Sequence, residues 1–327
     1  MRRESHLESM VCVCVVALAA AAASADVFNM GPGLTSMEMV TVGNAGNEAS
    51  QWFYWPIGAV DHEYRMGKFE VTAGQYTEFL NAVAASDTYG LYDSRMWDDP
   101  LGCKIQRTDT PGGHAYAVAA DLANRPVNFV SWADAARFCN WLTNGQIAGG
   151  QDATTTEDGS YFLNGANSHE ALTAVTRKTS ARYAIPTSDE WYKAAYHAND
   201  GSSGSYWEYP IASFDISPTQ ANYNGVVGHP TDVGAYPYPS AYGTYDQGGN
   251  IGEMGEDGVT DRLVWGGGFR FEAGFMSSIS PTNLVGVGDF VSGAYDEMGF
   301  RIVEVPEPAT LALMAVGLAG LIRRRRW

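Results

Sequence analysis

Cysteine is nearly absent from this chain. Its 327 residues include 4, and Cys12 and Cys14 fall inside an apolar N-terminal run, so only Cys103 and Cys139 remain beyond it. No Cys-x-x-Cys pair survives there to hold zinc. One disulfide between the two, or two buried free thiols, are the open alternatives. Positive charge is also scarce: 20 Lys and Arg stand against 37 Asp and Glu, a formal charge of −17. That excludes nucleic acid as a partner, because a phosphate backbone needs Lys and Arg to displace its counterions. Long hydrophobic runs are missing as well. The apolar stretch from Ala309 to Ile322 has 14 residues, where a bilayer-spanning helix needs about 20. There is no G-x-S-x-G elbow and no P-loop, so serine hydrolysis and nucleotide binding have no motif behind them. Internal repeats and heptads are lacking too.

What is present divides the chain in three. Arg2 and Arg3, an apolar run from Met10 and the small-x-small site Ala23-Ser24-Ala25 predict a secretory signal peptide over residues 1–25. The whole chain has 45% hydrophobic content and 9 Trp, enough for a core in the body, residues 26–304, and 37 Gly, which suit tight turns. Three capping boxes predict short helices: Thr72 with Gln75, Ser131 with Asp134, and Thr187 with Glu190. Behind the first, Val71, Tyr76, Phe79, Leu80 and Val83 share one face; behind the second, Trp132, Ala135, Cys139 and Leu142 do. Strand candidates are short, chiefly "RLVWGGGF" and "MGFRIV". The fold class is α+β with irregular loops.

The last segment, residues 305–327, joins Val305-Pro306-Glu307-Pro308, a short apolar stretch expected to be a hydrophobic helix, and Arg323 to Arg326. In that order it resembles the PEP-CTERM sorting signal. The resemblance implies recognition by an exosortase and export through the inner membrane. It also implies transient anchoring by the tail and delivery to the cell surface or an exopolysaccharide matrix. A plain C-terminal anchor would place the body outside the cytoplasm too.

Six blocks in series carry a second resemblance: "MGKFEVTAGQYTEFLNA", "RPVNFVSWADAARFCNWL", "YAIPTSDEWYKAAYHA", "YGTYDQGGNIGEMGED", "LVWGGGF" and "MGFRI". Together they resemble the formylglycine-generating enzyme, or sulfatase-modifying factor, family over about residues 60–303. The resemblance implies a complex loop-rich fold related to C-type lectins. It implies a calcium ion on Asp246, Gly249, Ile251 and Glu253, with Asn222 and Tyr223 beginning a second site; hard oxygen ligands of this kind suit calcium. Members of the family oxidise a substrate cysteine with O₂ and copper held by two cysteines. At those positions this chain has Phe271 and Met276, and one thioether does not replace the two thiolates that suit copper(I). Copper is therefore not expected.

Other candidates are weaker. His62, His114, His169, His197 and His229 are scattered, with no i, i+4 pair. Glu190 reads as a cap and Arg301 as a buried cation facing a carboxylate. Trp97, Trp207 and Tyr238 are loop aromatics able to stack on sugars or partner side chains. The segment from Asn144 to Lys178 looks inserted, either a partner surface or a plain loop. The functional expectation is a non-catalytic binding module for a polysaccharide or a surface protein. The alternatives are an enzyme of altered chemistry and a structural matrix protein.

Overall fold

The computed structural model describes residues 32–53, 55–257, 262–279 and 292–306. The expected signal peptide and the apolar tail lie outside them. Each of the three capping boxes forms with both of its hydrogen bonds. They open α1 (Ala73–Val83), α3 (Trp132–Thr143) and α5 (Ser188–Tyr196). Two shorter helices, α2 (Arg95–Asp98) and α4 (His169–Thr173), come between. Neither spans enough residues to leave a periodic pattern.

Helices α1 and α3 carry the core between them. The ring of Phe79 meets those of Phe138 and Trp141 at 5.3 Å each, and Phe138 meets Phe300 at 5.4 Å. Such aromatic pairs add roughly 0.5–1.5 kcal/mol beyond the area they bury. The predicted α1 stripe, Val71, Tyr76, Phe79, Leu80 and Val83, is buried throughout.

Among the described residues, nine short strands make three sheets. In the largest, β1 (Met39–Val42), β2 (Tyr64–Gly67), β9 (Val303–Glu304) and β5 (Tyr183–Ala184) lie side by side, all antiparallel. Strand β9 pairs with β2 through Arg65–Glu304 and with β5 through Tyr183–Glu304. The body's two ends therefore close on each other. Strands β3 (Ile105–Thr110) and β4 (Gly113–Val118) form a separate hairpin. The third sheet holds β7 (Val264–Trp265), β6 (Gly252–Met254) and β8 (Met298–Gly299), with β6 and β8 parallel.

Both strand candidates prove shorter than their sequences suggest. "RLVWGGGF" stops at Trp265 because Gly266 and Gly267 take φ of 84° and 63°, left-handed values that end a strand and suit glycine. "MGFRIV" splits between two sheets, β8 and β9. Arg301 at the break turns inward and is wholly buried.

The region from Asn144 to Lys178 is not a plain surface loop. Thr155, Thr156 and Ser160 are buried, and Asn140 on α3 donates to the carbonyls of Thr156 (2.7 Å) and Tyr161 (2.9 Å). Arg137 on the same helix reaches Glu157 at 2.7 Å.

Candidate functional site

The "DQGGNIGEMGED" block crosses the middle of the body. Asp246 begins it at φ 60° and Asn250 follows at 54°, left-handed values that Asn and Asp tolerate better than most residues. Gly249, at φ 84°, lies so close to the Asn222 carbonyl that a Cβ there would collide with it. The Asn250 amide donates to that carbonyl at 2.8 Å. The fold thus joins Asn222, Gly249 and Asn250, which belong to two separate sequence blocks.

Behind them lies a buried charge centre. Arg301 gives Glu253 two hydrogen bonds, Nε to Oε2 at 2.9 Å and Nη2 to Oε1 at 2.7 Å. Trp191 Nε1 adds a third to Glu253, at 2.7 Å. The remaining Arg301 donors reach the carbonyls of Gly67 and Tyr245, each at 2.7 Å. Glu70 stands 4.0 Å from the guanidinium and accepts from Asn250 Nδ2 at 2.9 Å. Burial, and then the neighbouring Asp246 charge, push the Glu70 carboxyl well above its usual range. Asp246 accepts from the Gly234 amide at 2.6 Å, and burial raises it to about 6.

Two hard oxygens here are buried without a hydrogen-bond partner, Asn222 Oδ1 and Glu70 Oε2. Buried oxygens of this type are costly without a partner, and they fit the donor set of a calcium ion. The six positions that sequence resemblance assigns to calcium are not brought together equally. Asn222 and Gly249 touch. Both Glu253 oxygens already hold hydrogen bonds from Arg301 and Trp191. Tyr223 turns its ring into an apolar cluster with Ala221 and Met276, and Ile251 is fully buried. Among the described residues, no three His, Cys, Asp or Glu side chains form a metal-binding group. Glu70 is the participant that sequence reading missed. It lies in the block "MGKFEVTAGQYTEFLNA", but a lone Glu before a helix carries no spacing signal.

The positions of the family's copper cysteines lie on a 3-10 turn, Ala273–Met276, and just before it. Met276 is 0% exposed. Phe271 packs on Phe275 with ring centroids 4.7 Å apart. Cys103 and Cys139 are both free and buried. Burial raises the Cys103 thiol to about 11 and Cys139 further still, which keeps both inert.

Two of the clefts among the described residues bear on function. One, of about 660 Å³, is lined by Phe162, Asn164, Asn167, Ala171 and Val175. The other, of about 370 Å³, is lined by Asp61, His62, Arg177, Asp189 and Glu190. His62 Nε2 is buried there without a hydrogen bond, 3.9 Å from Glu190. The other histidines do different work: His197 accepts at Nδ1 from the Asn199 amide at 3.2 Å, and His114 pairs with Asp109 at 2.8 Å. Of the loop aromatics, Trp97 and Tyr238 are exposed.

A loop-rich body tied at both ends, with helices on capping boxes and a buried arginine–carboxylate centre, defines a sulfatase-modifying-factor type of domain. The model of the sulfatase-modifying factor enzyme 1-like domain matches residues 35–305, and the chain belongs to that family. The PEP-CTERM protein-sorting motif matches residues 304–326, which marks the protein for export and implies recognition by an exosortase. Treponema denticola variable protein 1 shares the fold, with a TM-score of 0.54 and 18% identity over 84% of this chain and 98% of that one. CarF (TM-score 0.48, 19% identity, 83% of this chain and 99% of that one) and PvdO from Pseudomonas aeruginosa (0.47, 17%, 86% and 100%) are also similar. No curated protein matches. No helix among the described residues is long and apolar enough to cross a membrane.

Proposed function

We propose that this exported protein is a non-catalytic binding module of the sulfatase-modifying-factor family, stabilised by calcium. One observation carries the first part. Where the family holds copper on two thiolates, Met276 is 0% exposed, in a dry apolar cluster with Ala221 and Tyr223. A buried thioether offers one soft ligand and no path for a substrate thiol. The calcium part rests on Asn222 Oδ1 and Glu70 Oε2, hard oxygens buried without partners. Asn222 and Glu70, with Asp246 and the carbonyls of Gly249 and Ile251, would hold the ion, with Tyr223 and Glu253 at its margin. A bound Ca²⁺ would supply structural charge balance and no redox chemistry.

The sorting motif supports delivery to the cell surface or matrix, with an exosortase acting on the tail. There the module would hold a polysaccharide or a surface protein. The second reading is an enzyme of altered chemistry. It draws on the His62 cleft, where an imidazole nitrogen without a partner faces Glu190.

The test combines metal analysis of the purified protein with an assay for formylglycine on a cysteine-containing peptide under O₂ and added copper. Stoichiometric calcium without copper, and no formylglycine, is the expected result. Stoichiometric copper or any turnover of the cysteine would overturn the reading.

A further inference from the structure

An aromatic platform interrupts the polar surface near the 3-10 turn. Phe214 is 52% exposed and Trp52 47%. Their ring centroids are 6.1 Å apart with the planes tilted by 48°, and Trp207 backs Phe214 at 5.0 Å with a tilt of 60°. Three rings thus run in a row, two of them facing water. Trp207 Nε1 is buried without a hydrogen bond, although such groups usually find a partner when buried.

The platform is built rigidly. Tyr209 and Ser213 form an isolated antiparallel bridge, with the Ser213 carbonyl accepting from the Tyr209 amide at 2.9 Å. Ala212 inside that turn takes φ 52°, a conformation a side chain adopts only when its surroundings impose it. Ser213 Oγ then accepts from the Asp215 amide at 3.0 Å. On the other side the Ser50 and Ile57 backbones bridge, and Tyr192 OH ties Ser50 Oγ (3.2 Å) to the Ser278 carbonyl (3.0 Å). Rings held this way lose little entropy on binding a ligand.

The chain segments that carry and adjoin the rings are acidic. Segments 46–53, 201–225 and 271–279 contain no Lys, Arg or His, and contain Glu48, Glu208, Asp215 and Glu272. Glu208 follows Trp207 and Asp215 follows Phe214 in the sequence. Glu208 accepts from Ser277 Oγ at 3.2 Å, and Asp215 is exposed.

We propose that Trp52 and Phe214, with Trp207 behind them, form the stacking surface of a saccharide subsite, and that the carboxylates of the same segments select sugars bearing free amino groups. A pyranose presents a flat C–H face that packs on an aromatic ring while its hydroxyls stay wet. An ammonium on the same sugar is drawn to the ring face and to Glu208 and Asp215. Acidic polysaccharides are repelled by the same carboxylates. This rests on the binding-module reading and names its ligand class.

The test titrates the purified full chain with a glucosamine hexasaccharide and follows heat and tryptophan fluorescence. Comparison ligands are its N-acetylated form, a galacturonic acid hexamer and hexalysine. The glucosamine oligomer is expected to bind best, less tightly at high salt, and the galacturonate not at all. Trp52→Ala and Phe214→Ala each weaken binding by about tenfold, with thermal melts near wild type because both side chains are largely exposed. Asp215→Asn narrows the preference for the free amine over the N-acetyl form. The proposal is overturned by no glucosamine binding, by ring variants that bind normally, or by equal binding of galacturonate. Hexalysine binding that depends on the same rings also overturns it, in favour of a peptide partner. None of these results produces copper or formylglycine, so failure here is distinct from failure of the non-catalytic reading.

Discussion

Two of the arginine–carboxylate centres in this body, one on Arg177 and one on Arg301, are not equivalent. Arg177 serves Glu190 and Glu256, and its centre is closed: every carboxylate oxygen there accepts a hydrogen bond from Arg177 at 2.5–3.0 Å. Burial pushes Glu190 upward, but the Arg177 charge and hydrogen bonds outweigh it and hold that carboxyl below its usual range. Arg301 satisfies Glu253 in the same way but leaves Glu70 with an orphan oxygen and a strongly raised carboxyl. The same guanidinium chemistry yields one self-sufficient knot and one centre with oxygen to spare.

The largest effect should come from removing the cations. Arg301→Met strands wholly buried carboxylates and is expected to cost about 3–5 kcal/mol in urea unfolding. Arg177 is 14% exposed at its side chain, so water reaches its partners, and Arg177→Met should cost less. Equal costs would erase the distinction between the centres. Calcium comes next. Chelation should lower wild-type stability by about 2.7 kcal/mol relative to calcium at a hundred times its Kd. Asn222→Ala should abolish that response, while Glu256→Gln in the closed centre should keep it. A response lost in both variants would mean the ion does not sit at the open centre.

Much of this was legible beforehand, and the divide is physical. Capping boxes are local, with donor and acceptor three residues apart, so Thr72, Ser131 and Thr187 mark their helices correctly. The strands are two to six residues long, too short for alternation to register. Their pairings join positions as distant as Arg65 and Glu304. Arg301 was readable as a buried cation, but Glu70, lying 231 positions away and 4.0 Å off, was not. The aromatic platform was hidden for the same reason. Trp207 stands out in the sequence, while Trp52 and Phe214 become neighbours only through the fold.

A pH experiment probes the helix that neither arginine centre touches. Burial raises the Asp134 carboxyl from 3.8 to about 6, against hydrogen bonds from Ser131 that lower it. The folded state therefore holds this proton more tightly than the unfolded chain does. The contribution is fully present below pH 3.8 and is lost as pH rises through 6. Between those limits wild type should lose on the order of 2 kcal/mol through this group. Asp134→Asn should remove that slope, read from urea midpoints at pH 4 and pH 7. An unchanged slope would assign the pH dependence to other carboxylates.

The smallest effect tests how closed the Arg177 centre is. Glu190 works twice: it accepts from the Thr187 amide at 2.8 Å to complete the capping box, and from Arg177 at 2.8–2.9 Å. Thr187→Ala removes only the hydroxyl that accepts from the Glu190 amide at 3.2 Å. The carboxylate stays anchored by the guanidinium, so the cost should fall at the low end for a cap, about 0.5–1 kcal/mol. With Arg177 already replaced by Met, that anchor is gone and the same substitution should cost a different amount. A double-mutant cycle on Thr187 and Arg177 should read a coupling of at least about 0.5 kcal/mol. Strict additivity would mean that helix start and ion pair are independent, and that the centre is merely adjacent to α5 rather than built into its first turn.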